Sequence, residues 1–188
     1  MAPNHQEIVM KTLNKNKISY DKVHDIFNVI DNQINGQHLG SSVIVPNICN
    51  IKSINFSNGF ASTLASHYPN ALNGYQVLSN NERKLGYCQI FAVGSSKSKE
   101  YQHKVYIANM MCQVGFNSKN NRSRNLNYAA MATCLNKINH FLKNHLNKDQ
   151  QCEIRTHKYL VNYVGSDSRF VSYLLEDTFD NNITIHLN

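Results

Sequence analysis

The sequence lacks several features that would place it in a specialised class. No hydrophobic run approaches the roughly 20 residues that span a bilayer, and no signal-peptide pattern opens the chain. The five cysteines are scattered, odd in number and without a CxxC or Cys/His spacing. We therefore expect a cytoplasmic protein with reduced, mostly buried thiols, no membrane association, no metal and no cofactor.

Acidic residues are also scarce. The chain contains nineteen Lys and Arg residues but only twelve Asp and Glu residues, which gives a formal net charge of +7 and a pI of about 9.2. A basic balance of this size favours a polyanionic partner, most commonly nucleic acid, although many soluble proteins are mildly basic without such a partner. The abundant Asn, Lys and Ile are compatible with an AT-rich genome.

The length and hydrophobic content indicate one well-buried domain. A chain of 188 residues with 41% hydrophobic residues supports one core and is short for two. We find no internal repeat and no domain boundary, so we expect a single domain over 1–188. Apolar residues between His5 and Leu13 recur at loose helical spacing, so residues 1–16 are predicted to form an N-terminal helical extension.

The most informative stretch is Ser42 to Pro69. It begins with the apolar run Val43–Val45, typical of a buried strand, and continues through a loop rich in Asn and Ser. From Gly59 the apolar residues recur at helical spacing until Pro69. A buried strand that delivers such a loop to a helix N-terminus can bind an anion, because the first-turn N–H groups point outward. An ordinary strand-to-helix connection has the same pattern.

The remaining pattern alternates strands and helices. A strand is predicted over 17–27, with Asp25 at its end. We expect a turn and loop over 28–41, with room for one helical turn, and a polar segment with turns over 70–85. Strands follow over 86–93 and 104–112, with a polar loop between them. We then predict a helix over 126–146, a strand over 152–161, a helix over 168–179 capped by Asp167 or Ser166, and a strand over 183–187. This order predicts a three-layer α/β/α domain with a mixed sheet of about six strands.

Several segments in this order resemble a macro domain, the module that usually binds ADP-ribose. The segment ISYDKVHDIF resembles the family's opening strand, and VIVPNICN with SNGFASTLASHYP resembles its second strand, first phosphate loop and helix. EIRTHKYLVNYVGSDSRFVSYLLEDTF, followed by ITIHLN, resembles the second phosphate loop, last helix and last strand. The resemblance implies a ligand cleft in which Asp25 reads the adenine amino group. The other residues that it implies in the cleft are Asn50, Asn58, Gly59, Phe60, Gly165 and Ser166.

The sequence departs from the family pattern at the phosphate loops. The first loop reads Ser57-Asn58-Gly59 in place of Gly-Ala-Gly, and the second has His157, Leu160 and Asn162 in place of a Pro and two Gly. Glycine allows a backbone to approach a pyrophosphate at positive φ, which Leu tolerates badly. In the branch that hydrolyses glutamyl-linked ADP-ribose, which the end of the pattern resembles most, the catalytic Asp falls opposite Val164. We therefore predict no catalytic residues and no hydrolase activity.

Two functions are compatible with these features. The first is a non-catalytic protein that binds single-stranded RNA through a basic cleft on a degenerate macro-domain fold, similar to a macro-domain-like RNA-binding protein of large bacteriophages. Basic side chains would neutralise phosphates and tyrosines would stack on bases, although solvated loop charges have the same pattern. The alternative is a macro domain that binds ADP-ribose or a related nucleotide, or hydrolyses its conjugates, and so counters NAD-based defence. The residues predicted to contact RNA are Lys119, Arg122, Arg124, Tyr128, Lys158, Tyr163 and Arg169. A viral source would place the protein in the cytoplasm of an infected bacterium.

Overall fold

A computed structural model describes residues 18–20, 25–34, 41–56, 59–97, 102–115, 125–145, 151–157, 160, 166–179 and 183–187. Within these residues the chain forms six strands and five helices. The strands are β1 Ile18–Tyr20, β2 Ser41–Asn50, β3 Cys88–Lys97, β4 Gln102–Gln113, β5 Gln151–Thr156 and β6 Ile183–Leu187. The helices are α1 Ile26–Ile34, α2 Gly59–His67, α3 Pro69–Gln76, α4 Tyr128–His145 and α5 Ser168–Thr178. Among the described helices, none has the length and apolar character needed to cross a bilayer.

The six strands form one mixed sheet in the order β1-β6-β5-β2-β4-β3. Every neighbouring pair is parallel except β3 and β4, which are antiparallel. Strands β1, β2, β4, β5 and β6 therefore all end on the same side of the sheet, which we call the carboxyl end. The segments that lead into α1, α2, α4 and α5 begin there, and this is where open α/β sheets bind ligands.

Helices cover both faces of the sheet. On one face α4 and α5 contribute the buried Met131, Leu135, Val171 and Leu175, which pack with Ile44 and their neighbours. On the other face the first three helices pack on the outward residues of β2 and β4. These helices contribute Ile26, Phe27, Ile30, Leu64 and Ala71. Because both faces are covered, the interior strands β2 and β4 carry nearly continuous apolar runs. The predicted three-layer α/β/α fold with a mixed sheet of six strands is confirmed.

Two helices lie where the sequence predicted other structure. Ile26 and Phe27 belong to α1 and not to the end of the first strand, because the Asp25 carboxylate accepts the Phe27 N–H at 2.9 Å and so begins a helix. The predicted loop over 28–41 is therefore helical as far as Ile34. Pro69 ends α2 but also occupies the first turn of α3, where its missing N–H costs nothing.

The other boundaries differ less. The antiparallel pair β3–β4 extends through most of the predicted loop over 94–103, with a register shift between Ala92 and Gly94. Strand β5 ends at Thr156, before the predicted end at 161. The predictions for α4, α5 and β6 are confirmed, the last with the same bounds. The predicted N-terminal extension over 1–16 lies outside the described residues.

Candidate functional site

Three segments meet at the carboxyl end of the sheet through a row of rings. The Phe27 ring of α1 lies 5.7 Å from the Phe60 ring of α2, with an interplanar angle of 21°. Phe60 in turn lies 5.9 Å from His157, the residue after β5. We call Phe27, Phe60 and His157 the aromatic row. It brings the start of α1, the start of α2 and the beginning of the second predicted phosphate loop to one place, which we call the cleft.

Asp25 lies at the start of α1, on the side of the cleft that α1 forms. Its Oδ1 accepts the Phe27 N–H, which fixes the carboxylate directly beside the aromatic row. Asp25 is only partly buried. An ionised carboxylate has about four acceptor positions, so one cap bond leaves Asp25 able to accept from a ligand amino group.

Gly59 is the first residue of α2, which forms the second side of the cleft. Its φ is +64°, a conformation that residues with a Cβ rarely adopt, and a Cβ built there would meet no atom within 4 Å. The position that a Gly59 side chain would occupy is therefore open space. The first turn of α2 contains no acidic residue that would offset the positive end of the helix dipole. This helix start therefore presents outward N–H groups and partial positive charge.

A polar contact on the outer side holds α1 against α2. The His67 ring stacks on Phe27 at 4.3 Å with an interplanar angle of 5°. Asp31 accepts the Tyr68 hydroxyl at 2.7 Å and lies 4.0 Å from the His67 imidazole. Burial, together with this bond to the carboxylate, raises the pKa of Tyr68 well above its ordinary value. These contacts fix the position of Phe27, which is 6% exposed.

The second loop begins with a turn that places Leu160 in the core. The Leu160 N–H donates to the His157 carbonyl at 2.8 Å, and Leu160 is 5% exposed in the cluster that contains Val171 and Leu175. Its φ is not positive. Leu160 therefore does not adopt the left-handed conformation that favours glycine. The apolar side chain turns away from the cleft because the core accepts it.

Tyr128 joins the start of α4 to the start of α5, the helix that follows the second loop. Its hydroxyl accepts the Asp167 N–H at 2.6 Å, and its ring lies 4.7 Å from Phe170. Asp167 caps α5 as predicted, accepting the N–H groups of Arg169 and Phe170. Bonding to Phe170 and Arg169 lowers the pKa of Asp167. Ser166, the residue before the cap, is partly buried, and its contact with a ligand stays a prediction. The geometry gives Tyr128 a structural role, and its stacking on a base stays a prediction.

Asn50 joins the ends of two strands. Its amide nitrogen donates to the Gly115 carbonyl at 2.8 Å, and its oxygen accepts the Gly115 and Lys52 N–H groups, each at 3.0 Å. With 8% of its surface exposed, Asn50 is engaged in fixing β2 to the end of β4. Its direct contact with a ligand stays a prediction.

Of the basic residues predicted to contact RNA, only Arg169 lies within the described residues. Arg169 is described, with 85% of its side chain exposed and its Nε 3.6 Å from Asp167. The following predicted positions lie outside the described residues: Asn58, Lys119, Arg122, Arg124, Lys158, Tyr163, Val164 and Gly165. What the sequence predicts for them stays a prediction.

The sequence interpretation missed the aromatic row and its support. Phe27 was assigned to a strand, and His67 was not singled out. The pattern Asp25-x-Phe27 followed by Ile30 was the available signal, since an N-cap residue before apolar residues at helical spacing marks a helix start. Placing Phe27 at the start of a helix would have directed it toward the same end of the sheet as Gly59.

The assembled cleft combines the Asp25 carboxylate, the buried Phe27 ring with the partly buried rings of Phe60 and His157, and the helix start at Gly59. Such a set suits a ligand with a flat, amino-bearing ring and an anionic group. Within the described part of the chain, no group of three His, Cys, Asp or Glu residues could hold a metal ion.

No protein-family model and no curated protein matches the sequence. Solved structures do match. A Bacteroides thetaiotaomicron protein of unknown function superposes with a TM-score of 0.64 at 17% identity, covering 92% of this chain and 99% of that one. The macrodomain of Mycobacterium tuberculosis DarG gives 0.58 at 13% identity over 92% and 99% of the two chains.

A third match is Thermosipho africanus DarTG, solved in complex with ADP-ribose. It superposes with a TM-score of 0.56 at 13% identity over 93% of this chain and 43% of the longer DarTG chain. At these identities the likeness establishes architecture. The protein has a diverged, macro-domain-like fold.

Proposed function

We propose that this protein binds ADP-ribose, or a closely related adenine nucleotide, in the cleft and does not hydrolyse it. The observation that carries the proposal is the aromatic row, which joins the starts of α1 and α2 to the second loop. The fold likeness to DarTG, which was solved with ADP-ribose, supports the choice of ligand.

Each part of such a ligand has a suitable group in the cleft. Asp25 accepts from the amino group of an adenine ring that lies against the partly buried Phe60. The open start of α2 at Gly59 receives the pyrophosphate. We expect the second loop, which leads to Ser166 and the capped start of α5, to contribute the other side of the site. Because Leu160 turns into the core, its substitution for glycine does not by itself obstruct this side.

The absence of hydrolysis follows from the sequence of the second loop. A valine at position 164 neither attacks an ester nor transfers a proton, and it stands where the resembling branch has its catalytic Asp. Incubation with a glutamyl-ADP-ribosylated protein should therefore release no ADP-ribose above a buffer control. Robust release would show that another residue supplies the acid.

Calorimetric titration tests binding. We expect a saturable, one-to-one isotherm with ADP-ribose, weaker binding of ADP and AMP, and the weakest binding of ribose 5-phosphate, which lacks the adenine ring. Equal affinity for ribose 5-phosphate and ADP-ribose would refute the role of Asp25 and the aromatic row. No heat with any of the four would refute the proposal.

Single-stranded RNA is a second candidate, favoured by the net charge of +7 and the exposed Arg169. The comparisons with solved structures give it no support. A titration of a single-stranded oligonucleotide at several salt concentrations distinguishes the two functions. Electrostatic RNA binding weakens steeply with salt, with about −0.7 in log–log slope for each phosphate contacted. RNA binding without ADP-ribose binding would reverse the order of the two proposals.

A further inference from the structure

A cavity of about 440 Å³ lies outside the cleft, between α4 and the segment before β3. Pockets that bind small molecules have volumes of about 300–1,000 Å³. The cavity opens to solvent, because Lys84, Leu85 and Ala129, which line it, are exposed. Its size and access are therefore those of a small-ligand site.

The side of the cavity opposite α4 is a tight turn before β3. The Tyr87 N–H donates to the Lys84 carbonyl at 3.0 Å, and Gly86 has the positive φ, +82°, that a type II turn requires at its third residue. The Gly86 N–H donates to the Met111 carbonyl at 2.9 Å, and a Cβ on Gly86 would lie only 3.3 Å from the Thr133 methyl group on α4. The turn is thus fixed against both β4 and α4, so the cavity is already formed without a ligand.

Two lysines, one from each side, give the cavity a positive charge. Lys84 belongs to the turn and Lys137 to α4. The Lys137 Nζ donates to the Gly86 carbonyl at 2.8 Å and lies 5.6 Å from the centre of the Tyr87 ring, which holds the ammonium group at the cavity. An ammonium group has three donors, so this bond leaves donors for a ligand.

No carboxylate offsets this charge within the cavity. The residues that line it all belong to the described part of the chain, and none of them is acidic. The Glu82 carboxylate, two residues before Lys84, accepts the Ser79 N–H at 2.9 Å and the Tyr87 hydroxyl at 3.1 Å. It is therefore bonded to groups other than the two lysines, and the cavity favours an anion.

Much of the remaining lining is apolar. Leu85 on the turn is a large apolar side chain that is 36% exposed, and Ala129 and Ala130 line the cavity from α4. An apolar group of a ligand would remove this surface from water. The lining therefore suits an organic anion better than a bare inorganic ion.

We propose that this cavity binds a small organic anion, with the anionic group between Lys84 and Lys137 and the apolar part against Leu85 and Ala129. A phosphate monoester and a carboxylate share this chemistry. The site is separate from the cleft and does not depend on the proposed nucleotide ligand.

The test is a backbone-amide NMR titration of the labelled full-length protein with phenyl phosphate, benzoate and inorganic phosphate. We expect phenyl phosphate to give saturating shifts at Leu85, Gly86, Thr133 and Lys137, and to bind more tightly than inorganic phosphate because its ring covers apolar surface. Saturation by benzoate at the same amides would support a carboxylate ligand as well. Saturation by phenyl phosphate alone would support the phosphate monoester.

Four variants separate a built site from general attraction to a basic protein. Lys84→Gln and Lys137→Gln should each weaken phenyl phosphate binding by about threefold to fivefold, since each removes one ion pair. Ala129→Leu should weaken binding by filling the cavity without a change of charge. The matched control is Lys143→Gln, which removes the same charge from the last turn of α4, outside the cavity, and should bind like the wild-type protein.

Several results would overturn the proposal. Neither phenyl phosphate nor benzoate would shift the amides around the cavity, or the shifts would concentrate at Gly59 and Phe60 in the cleft. Equal weakening by Lys143→Gln and Lys84→Gln would show that only the net charge attracts the probe. Wild-type affinity in Ala129→Leu would show that the probe does not enter the cavity.

Discussion

Gly59 offers the sharpest perturbation of the cleft. An aspartate there would place a negative charge at the start of α2, where we expect the pyrophosphate. A Cβ at Gly59 meets no atom within 4 Å, so the side chain fits, and Asp tolerates positive φ better than most residues. The matched control is Gly59→Asn, which has nearly the same shape and the same φ requirement without the charge.

The expected magnitude follows from the repulsion between the new carboxylate and one phosphate. Two unit charges about 4 Å apart interact by about 1 kcal/mol in bulk water and about 4 kcal/mol near a protein surface. These energies correspond to a loss of affinity between about fivefold and about a thousandfold. Both variants share the strain of a Cβ at φ +64°, about 1–2 kcal/mol of stability.

Calorimetric titration with ADP-ribose at low and physiological salt is the assay. Gly59→Asp should bind at least about fivefold more weakly than Gly59→Asn, and the difference should shrink as salt screens the repulsion. The two variants should melt at similar temperatures, because their strain is equal. Equal ADP-ribose affinity in the two variants would refute the placement of the pyrophosphate at this helix start.

Three further predictions concern the second loop and the charged segment before α4. Asp167→Ala should lower the melting temperature at neutral pH, because it removes the α5 cap. The Asp167 pKa is lowered on folding, so the cap stabilises fully above the unfolded pKa of about 3.9 and is lost as pH falls below it. Thermal melts should therefore converge in acid, and a constant difference would contradict this reasoning. Leu160→Ala should destabilise the fold by about 2–5 kcal/mol in denaturant unfolding while leaving ADP-ribose affinity within about twofold of wild type, and a large affinity loss would place Leu160 in the cleft. If RNA binds, a mobility-shift titration should show weaker binding and a flatter salt slope on charge reversal of Lys119, Arg122 and Arg124, and unchanged binding would mean that these charges are only solvated.

The sequence was most informative where hydrophobic pattern and burial agree. Val43–Val45 predicted a buried strand because β2 is covered on both faces, and the alternation of Ile183, Ile185 and Leu187 predicted β6 because alternate side chains are buried. The long amphipathic repeat of α4 predicted its packing against the sheet. In each case one periodicity was present without a competing signal.

The errors arose where one residue carries two local signals. Ile26 and Phe27 follow an alternating run and were added to the strand, but the Asp25 cap starts a helix at that point. Pro69 both ends α2 and begins α3, and the sequence interpretation used only the first signal.

The cleft was less predictable than the fold because it depends on contacts between distant residues. Phe27, Phe60 and His157 are far apart in sequence, and only the parallel strand order brings them together. The burial of Leu160 likewise depends on Val171 and Leu175, which occupy the helix after the loop. Local pattern alone does not specify either arrangement.

The central claim is that an adenine nucleotide occupies the cleft beside the aromatic row. The most direct measurement is a backbone-amide NMR titration of the labelled protein with ADP-ribose. We predict saturating shifts at Phe27, Gly59, Phe60 and His157. Lys84 and Lys137, which line a cavity between α4 and the segment before β3, should change little. Shifts confined to that cavity, or none at saturating ADP-ribose, would contradict the claim.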